Sequence, residues 1–397
     1  THSYMEYLYK YPQARYPYEE LIEKNKSRSK EDQEYELLDT GIFDQNRYFD
    51  LFIRYAKVNH METCVTIEAH NRGDQAAPLH ILPQIWYRNT WCWSLPRGNT
   101  PEISVHSNSK EHIALLCDDH KKESITGITI DYSLGDYYFY APPGGTPLFT
   151  NNESNCESIW NSPSSTPYTK DAFHRQVVQG ETSVNAKKIG TKSCIHYSYD
   201  SIPPGSSVSL AFYLSNEPRS TPLKKVEKTI HLRKKEADDY YNSIYAAKAS
   251  EEEKRVQRQS LASMIWSKQF YHFRVNQWLK GDPAFPQPPS SRTDIRNKNW
   301  KHINTMRIMS MPDKWEYPWF AAWDLAFHTL PLGLVDIQFA KEQLWYLLFE
   351  QFIHPSGQIP AYEWEFSDLN PPVHAWGVWE VYLMEKKRHG KGDREFL

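Results

Sequence analysis

The chain has 397 residues and a formal net charge of −3, with 46 basic and 49 acidic side chains. This length predicts two domains or slightly more, and the balance of charge argues against a nucleic-acid-binding face or a polybasic membrane anchor. Because the sequence has no apolar run long enough to span a bilayer and opens with no signal peptide, we expect neither a nucleic-acid nor a membrane partner.

The first predicted domain, 1–216, is an antiparallel β-sandwich. Turn signals fill 5–18 and a short helix is predicted over 18–25; beyond them apolar and polar residues alternate with the period of two that is typical of strands. Many such segments, separated by Gly, Pro and Asn turns, favour a sandwich. The predicted strands are 48–55, 65–69, 79–86, 112–116, 126–132, 137–140, 194–199 and 208–214.

After 216 the apolar period becomes helical. Residues 217–250 are predicted to be a linker with a helix, and 251–397 to be part of an (α/α)6 helical toroid, truncated at the C-terminus. Periodicity alone does not separate a toroid from a plain helical bundle. The predicted helices are 234–249, 251–279, about 321–334, one with Asp336 as its N-cap, and about 372–386.

The cysteines indicate a reducing compartment. There are five, an odd number, all in the first half of the chain and without a CxxC pair, so they predict neither a zinc site nor a disulfide framework. Reduced thiols are typical of cytosolic proteins, and we expect a cytoplasmic protein. Since the sequence also lacks a glycine-rich phosphate loop, we expect no metal and no other cofactor.

The two ends of the chain suggest a piece of a larger protein. The sequence opens without Met, in what reads as structured sequence, and closes on what looks like the start of a helix. We therefore expect an internal fragment, whose partners include the flanking segments of the same protein.

One stretch, 315–328, surrounds a single aspartate with aromatic residues. It reads WEYPWFAAWDLAFH, and ten of the fourteen tryptophans lie at or after Trp266. Sugar rings stack on aromatic side chains, and sugar hydroxyls pair with carboxylates and amides. A carboxyl group between tryptophans is poorly solvated, which favours the protonated form that a general acid needs. Asp324 is therefore the candidate acid; alternatively, it only interacts with the helix dipole in a first helical turn.

A second polar and aromatic stretch follows at 357–376. It contains GQIPAYEW and NPPVHAW, in which loop amides stand beside prolines that would fix their direction. We expect Trp376 and Trp379, at helical spacing, to lie in the core. The candidate substrate contacts from both stretches, each also plausible as a structural residue, are Trp315, Glu316, Tyr317, Trp319, Trp323, Phe327, Gln358, Glu363, Trp364 and Asn370.

These motifs resemble the (α/α)6-barrel glycosidases, most closely glycoside hydrolase family 63 and its mannosylglycerate-hydrolase-like members. The resemblance lies in Trp323-Asp324 with Phe327 after an aromatic lead, in GQIP, and in a Pro-Pro pair before a helix with tryptophan. It covers the whole chain. It implies a β-sandwich followed by a toroid, Asp324 as the general acid, and Trp323 and Phe327 in the sugar pocket. Asn370 departs from the Gln that relatives carry, and the resemblance implies a general base beyond residue 397.

The motifs and the resemblance together predict an inverting α-glycosidase of α-glucosidase type that acts on oligosaccharides or small glycosides. Because its base is expected elsewhere, we expect the fragment alone to be inactive. One alternative is a hydrolase of mannosylglycerate or glucosylglycerate, which needs a basic group for the glycerate carboxylate; Lys268, Arg307 and Lys314 are the candidates. Another is a non-catalytic carbohydrate-binding scaffold.

Overall fold

The structure, a computed structural model, combines antiparallel β-sheets with α-helices in a multidomain β+α arrangement. The chain divides into two compact units, unit 1 (Thr1–Asp238) and unit 2 (Asp239–Leu397). The predicted domain bounds at 216 and 250 stay predictions. The described residues are 2–91, 100–119, 123–124, 131–281, 286–295, 298–316, 318–348, 352–359 and 367–397.

The strands dominate unit 1. Within its described residues they are β1 (Tyr4–Pro12), β2 (Tyr48–Lys57), β3 (Thr63–Asn71), β4 (Ala77–Ile81), β5 (Gln84–Trp86), β6 (Glu102–Asn108), β7 (Ile113–Asp118), β8 (Glu123–Ser124), β9 (Asp131–Tyr132), β10 (Tyr137–Ala141), β11 (Thr146–Thr150), β12 (Ile189–Gly190), β13 (Lys192–Ile202) and β14 (Ser207–Ser215). The larger sheet has the order β1-β2-β3-β14-β10-β7-β6-β12, and the smaller has the order β11-β13-β4, with β5 also pairing with β13.

The two sheets share one hydrophobic core. Phe139 and Phe212 of the larger sheet and Ile195 and Tyr197 of the smaller sheet are all buried in the same cluster. The rings of Phe139 and Phe212 stack at 5.8 Å, and Tyr197 meets Phe212 edge-on at 6.3 Å. These contacts place the two antiparallel sheets face to face, as alternating apolar residues on both sheets require.

Strand β1 was not predicted from the sequence, because buried and exposed positions do not alternate along it. It pairs with β2 at the edge of the larger sheet, from Tyr4 opposite Ala56 to Pro12 opposite Tyr48. Most of its side chains are exposed and Pro12 is buried, so no alternation between apolar and polar residues was available. The predicted strand over 79–86 is in fact two strands, and 125–130 of the predicted strand over 126–132 lie outside the described residues.

In the described part of 1–250, four α-helices accompany the sheets: α1 (Tyr18–Lys26), α2 (Cys156–Trp160), α3 (Ala172–Gln179) and α4 (Val226–Ile244), the last of which crosses the division between the units. The chain segment before α4 is fixed by a buried carboxylate, Glu62. Its oxygens accept hydrogen bonds from Tyr213, Ser215 and Arg219. Burial raises the pKa of Glu62, but the bonds from Tyr213 and Arg219 outweigh it and hold the pKa below its usual value.

Unit 2 contains, among its described residues, α5 (Glu251–Trp266), β15 (Lys268–Arg274), α6 (Val275–Lys280), β16 (Asn304–Ser310), α7 (Ala322–Val335), α8 (Ile337–Tyr346) and α9 (Val373–His389). Helix α5 begins with a capping box between Ser250 and Glu253. Asp336 caps α8 by accepting the amide hydrogen of Phe339, as predicted. None of the described helices is both long and apolar enough to cross a membrane.

The prediction of one helix over 251–279 is wrong. The helix ends at Trp266, and Lys268–Arg274 form a strand that pairs antiparallel with β16, from Lys268 opposite Ser310 to Arg274 opposite Asn304. This segment, KQFYHFR, is rich in aromatic residues that favour strands, and its partner strand lies about thirty residues away. Local periodicity could not reveal this pairing.

Helices α7, α8 and α9 pack around a common cluster. Its members include Leu332 of α7, Leu344 of α8 and Val381 of α9. A Cβ at Gly377 would lie 3.3 Å from the carbonyl oxygen of Ala326, so glycine permits close contact between α7 and α9. The wider toroid remains a prediction.

A buried lysine ties α8 to α9. Lys341 is only 6% exposed, and its ammonium lies 2.6 Å from Glu385 and 3.1 Å from Asp393. Burial lowers the pKa of Lys341, but the two carboxylates outweigh that effect and raise the pKa above its usual value.

Candidate functional site

The candidate acid, Asp324, lies in the first turn of α7 and is half-buried. The start of this helix is anchored by Trp319 and Phe320, which precede it and are both buried. Their rings lie 3.9 Å apart, and Phe320 meets Phe352 edge-on at 5.2 Å. This apolar anchor fixes the position of the turn that carries Asp324. It also gives Trp319, a predicted substrate contact, a packing role.

Two predicted pocket residues flank Asp324 on the same helix. Trp323 is 36% exposed and Phe327 is 43% exposed, and their rings meet edge-on at 6.1 Å. Phe327 also contacts Trp376 of α9, with ring centroids 5.5 Å apart. Three partly exposed rings from two helices therefore form a row, the aromatic row, which includes the residue adjacent to Asp324.

The expectation that Trp376 and Trp379 lie in the core is wrong. They are 40% and 47% exposed. The buried side of α9 is instead lined by small or branched residues, Gly377 and Val381, because α7 approaches too closely for large rings. The exposed side then carries the tryptophans, and it adds Trp376 to the aromatic row.

His328 follows Asp324 by one helical turn and is the nearest titratable group to it on α7. Residues four apart on a helix are neighbours on one face. Burial lowers the pKa of His328, and the negative charge of Asp324 opposes this effect. His328 is therefore expected to be neutral at pH 7.

A buried chain of hydrogen bonds through Ser310 and Gln343 holds the imidazole ring of His328. Nδ1 of His328 lies 3.1 Å from the hydroxyl of Ser310, the last residue of β16. The amide of Ser310 donates to Oε1 of Gln343 on α8 at 2.9 Å, and Nε2 of Gln343 donates to the carbonyl of Ile308 at 3.1 Å. Both Ser310 and Gln343 are fully buried. Neither residue was predicted from the sequence, because the pairing of β15 and β16 that positions Ser310 has no local signal.

The earlier part of the aromatic stretch lies away from the core. Trp315 is 93% exposed and Glu316 is exposed. The carboxylate of Asp313 accepts the amide hydrogens of both residues at 2.9 Å, which closes a local turn. Tyr317, another predicted contact, lies outside the described residues.

The second stretch is described only at its two ends. Glu363 and Trp364 lie outside the described residues. Gln358 donates to the carbonyl of Asp368 at 3.1 Å, and Asn370 donates to the carbonyl of Ile359. Both predicted sugar-binding amides thus hold the two ends of their own segment together.

The basic candidates for a glycerate carboxylate have other partners. Lys268 lies 3.4 Å from Asp336 and 3.7 Å from the ring centroid of Phe339. Lys314 donates to the carbonyl of Trp266 at 3.2 Å, and Arg307 lies 5.5 Å from the Tyr346 ring centroid. Among the described residues, no group of three or more His, Cys, Asp and Glu side chains could hold a metal ion.

Comparisons with known proteins give one long sequence match. No family model matches the chain. It is 39% identical, over 439 residues, to the uncharacterized protein YMR196W of Saccharomyces cerevisiae. The match includes 100% of this chain and 39% of the yeast protein, so the chain spans about two fifths of that relative's length.

A solved structure also matches, at a low level. It is a galactose mutarotase related enzyme from Lactobacillus acidophilus, 7% identical, with a TM-score of 0.22 over 56% of this chain and 70% of that chain.

Proposed function

We propose that the chain is part of an inverting α-glycosidase of α-glucosidase type, with Asp324 as its general acid and an oligosaccharide or small glycoside as its substrate. The observation that carries the proposal is the half-buried Asp324 in the first turn of α7, the helix that also carries the partly exposed rings of Trp323 and Phe327. The resemblance of the stretches around 315–328 and 357–376 to family 63 glycosidases gives the reaction type.

The site suits the acid half of glycoside hydrolysis. A general acid must protonate the leaving oxygen while the sugar ring is held beside it. The aromatic row offers flat apolar faces for the ring, and partial burial of Asp324 reduces competition from water. The first turn of α7 fixes the backbone of Asp324, so its carboxyl approaches a bound sugar from one direction.

Inversion also needs a second carboxylate about 6.5–9.5 Å from the first, to activate water on the opposite face of the sugar. Following the resemblance, we place this base beyond residue 397. The 397-residue chain alone is then expected to show no turnover, and activity belongs to the full-length parent protein.

The test uses the full-length parent with three forms: wild type, Asp324→Asn and the control Asp294→Asn. Asp294 is an exposed acid of unit 2 that pairs with Lys298 at 3.0 Å. Each form is incubated with α-gluco- and α-manno-disaccharides and with the corresponding glycerates, and NMR follows the anomer that is released.

We expect wild type and Asp294→Asn to be equally active, with inversion of the anomeric centre, and Asp324→Asn to lose activity. An active Asp324→Asn would remove this residue from the chemistry, and a retained anomer would contradict the inverting mechanism. Activity on the glycerates alone would favour the glycerate hydrolase instead. A wild type that binds sugars of the panel without cleaving them would favour a carbohydrate-binding scaffold.

A further inference from the structure

The hydrogen-bond chain behind His328 joins two elements of unit 2, β16 and α8, to one face of α7. It runs from Gln343 on α8 through Ser310 on β16 to His328 on α7, and Asp324 lies one turn before His328. Buried polar groups with fixed partners impose one geometry on the elements that carry them. The sequence motifs assigned no role to Ser310, Gln343 or His328.

We propose that His328, held by Ser310 and Gln343, is a positioning residue for the carboxyl group of Asp324. The proposal rests on the proposed function, because a positioning residue needs a reacting group to position. His328 itself need not touch the substrate. Its role is to fix the direction of the carboxyl and to keep one polar neighbour beside it throughout the reaction.

The geometry begins with the imidazole ring. Because Nδ1 of His328 is engaged by the Ser310 hydroxyl at 3.1 Å, Nε2 is the other polar ring atom, and it can interact with a different group. Asp324 is the neighbour at the i−4 position on the same helical face. Fixing one nitrogen therefore also fixes the ring and the direction of the other nitrogen.

Ser310, which holds the imidazole ring of His328, is itself held by neighbouring residues. Ser310 has an additional neighbour, the hydroxyl of Ser267 at 3.4 Å, and its amide is held by Gln343. Gln343 spans two backbone groups of β16, the amide of Ser310 and the carbonyl of Ile308. An amide side chain does not titrate, so this clamp stays the same across the working pH range.

Two other charged groups on the packed elements, Lys268 and Lys341, have partners of their own. Lys268 of β15 pairs with Asp336, and Lys341 of α8 pairs with Glu385. The charge that acts on His328 is that of Asp324. The negative charge of Asp324 therefore favours the protonated form of His328.

The first experiment uses the 397-residue chain and does not depend on activity. The ring signals of His328 are assigned in histidine NMR spectra by their loss in His328→Asn, and its pKa is measured in wild type, Asp324→Asn and Asp294→Asn. Removing the carboxylate of Asp324 removes the effect that raises the pKa of His328, so its pKa should fall. Asp294→Asn should leave it unchanged. An equal pKa in wild type and Asp324→Asn would overturn the proposal.

The second experiment uses the full-length parent and compares kcat, KM and the pH profile for wild type, Ser310→Ala and His328→Asn. Because both variants misplace the carboxyl of Asp324, kcat should fall by about 10- to 100-fold with little change in KM. The dependence of kcat on pH should also shift in both variants. Unfolding by urea reports whether each variant remains folded. A loss of activity that follows stability alone, with the pH profile unmoved, would overturn the proposal, as would unchanged kcat.

The two experiments separate the failure of this proposal from that of the proposed function. If Asp324→Asn remains active while the pKa of His328 responds to it, the proposed function fails, and with it the positioning role in catalysis. If Asp324→Asn is inactive but His328→Asn and Ser310→Ala behave as wild type, only the positioning role fails.

Discussion

The fully buried amide of Gln343 offers a sharp test of how unit 2 is held together. Gln343→Met keeps an unbranched side chain of similar volume but removes both hydrogen bonds to β16, from the amide of Ser310 and to the carbonyl of Ile308. The bond to the carbonyl of Ile308 contributes about 1 kcal/mol, and the amide hydrogen of Ser310, left buried without a partner, costs about 1–3 kcal/mol. We therefore expect the free energy of unfolding to fall by about 2–4 kcal/mol.

Urea unfolding of the chain, followed by tryptophan fluorescence, measures this loss. Ten of the fourteen tryptophans lie at or after Trp266 and report chiefly on unit 2. If the free energy of unfolding falls by about 2 kcal/mol per molar urea, the midpoint of the unfolding transition should fall by about 1–2 M, with this slope unchanged. The control Gln259→Met, at an exposed position of α5, should change stability by less than about 0.5 kcal/mol. Equal midpoints for the two variants would refute the role given to Gln343.

Three further changes test the packing of both units by the same unfolding measurement. Lys341→Met leaves Glu385 without its buried partner and should lower the free energy of unfolding by about 2–4 kcal/mol at pH 7. An unchanged stability would contradict the stabilising role of this ion pair. Tyr213→Phe removes a buried hydrogen bond to the carboxylate of Glu62 and should cost about 1.5–3 kcal/mol at pH 7. Because the folded-state pKa of Glu62 is lowered, this contribution is present above its unfolded pKa of about 4.3 and is lost as the pH falls through the folded value; a pH-independent effect would contradict it. Gly190→Ala places a Cβ 2.2 Å from the backbone oxygen of Thr150 and should lower the free energy of unfolding by about 1–3 kcal/mol. An unchanged stability would contradict this packing.

The sequence predicted those elements whose signal is local. Strand β14 alternates apolar and polar residues over 208–214 because one face lies on the core, and it forms at Ser207–Ser215. The helix around 321–334 forms at Ala322–Val335, and Asp336 caps the next helix because an aspartate side chain can accept the third amide hydrogen. In each case, burial and capping act within a few residues.

The elements that were missed depend on distant partners. Strand β15 replaces the end of a predicted helix because β16, about thirty residues away, supplies its hydrogen bonds. Trp376 is exposed because Gly377 and Val381 take the buried side of α9 against α7. The support of the candidate site was missed for the same reason, since the packing of three elements is what brings Ser310 to His328 and Gln343 to Ser310.

The most direct test of the central claim compares leaving groups in the full-length parent. An alkyl α-glucoside needs a proton on its leaving oxygen, whereas α-glucosyl fluoride releases fluoride without general acid catalysis. Asp324→Asn should lower kcat for the alkyl glucoside by about 10²–10⁴, and for the fluoride by less than about tenfold. The wild type should release the inverted anomer from both substrates. An equal loss on both substrates, or no loss on either, would contradict the assignment of Asp324 as the proton donor.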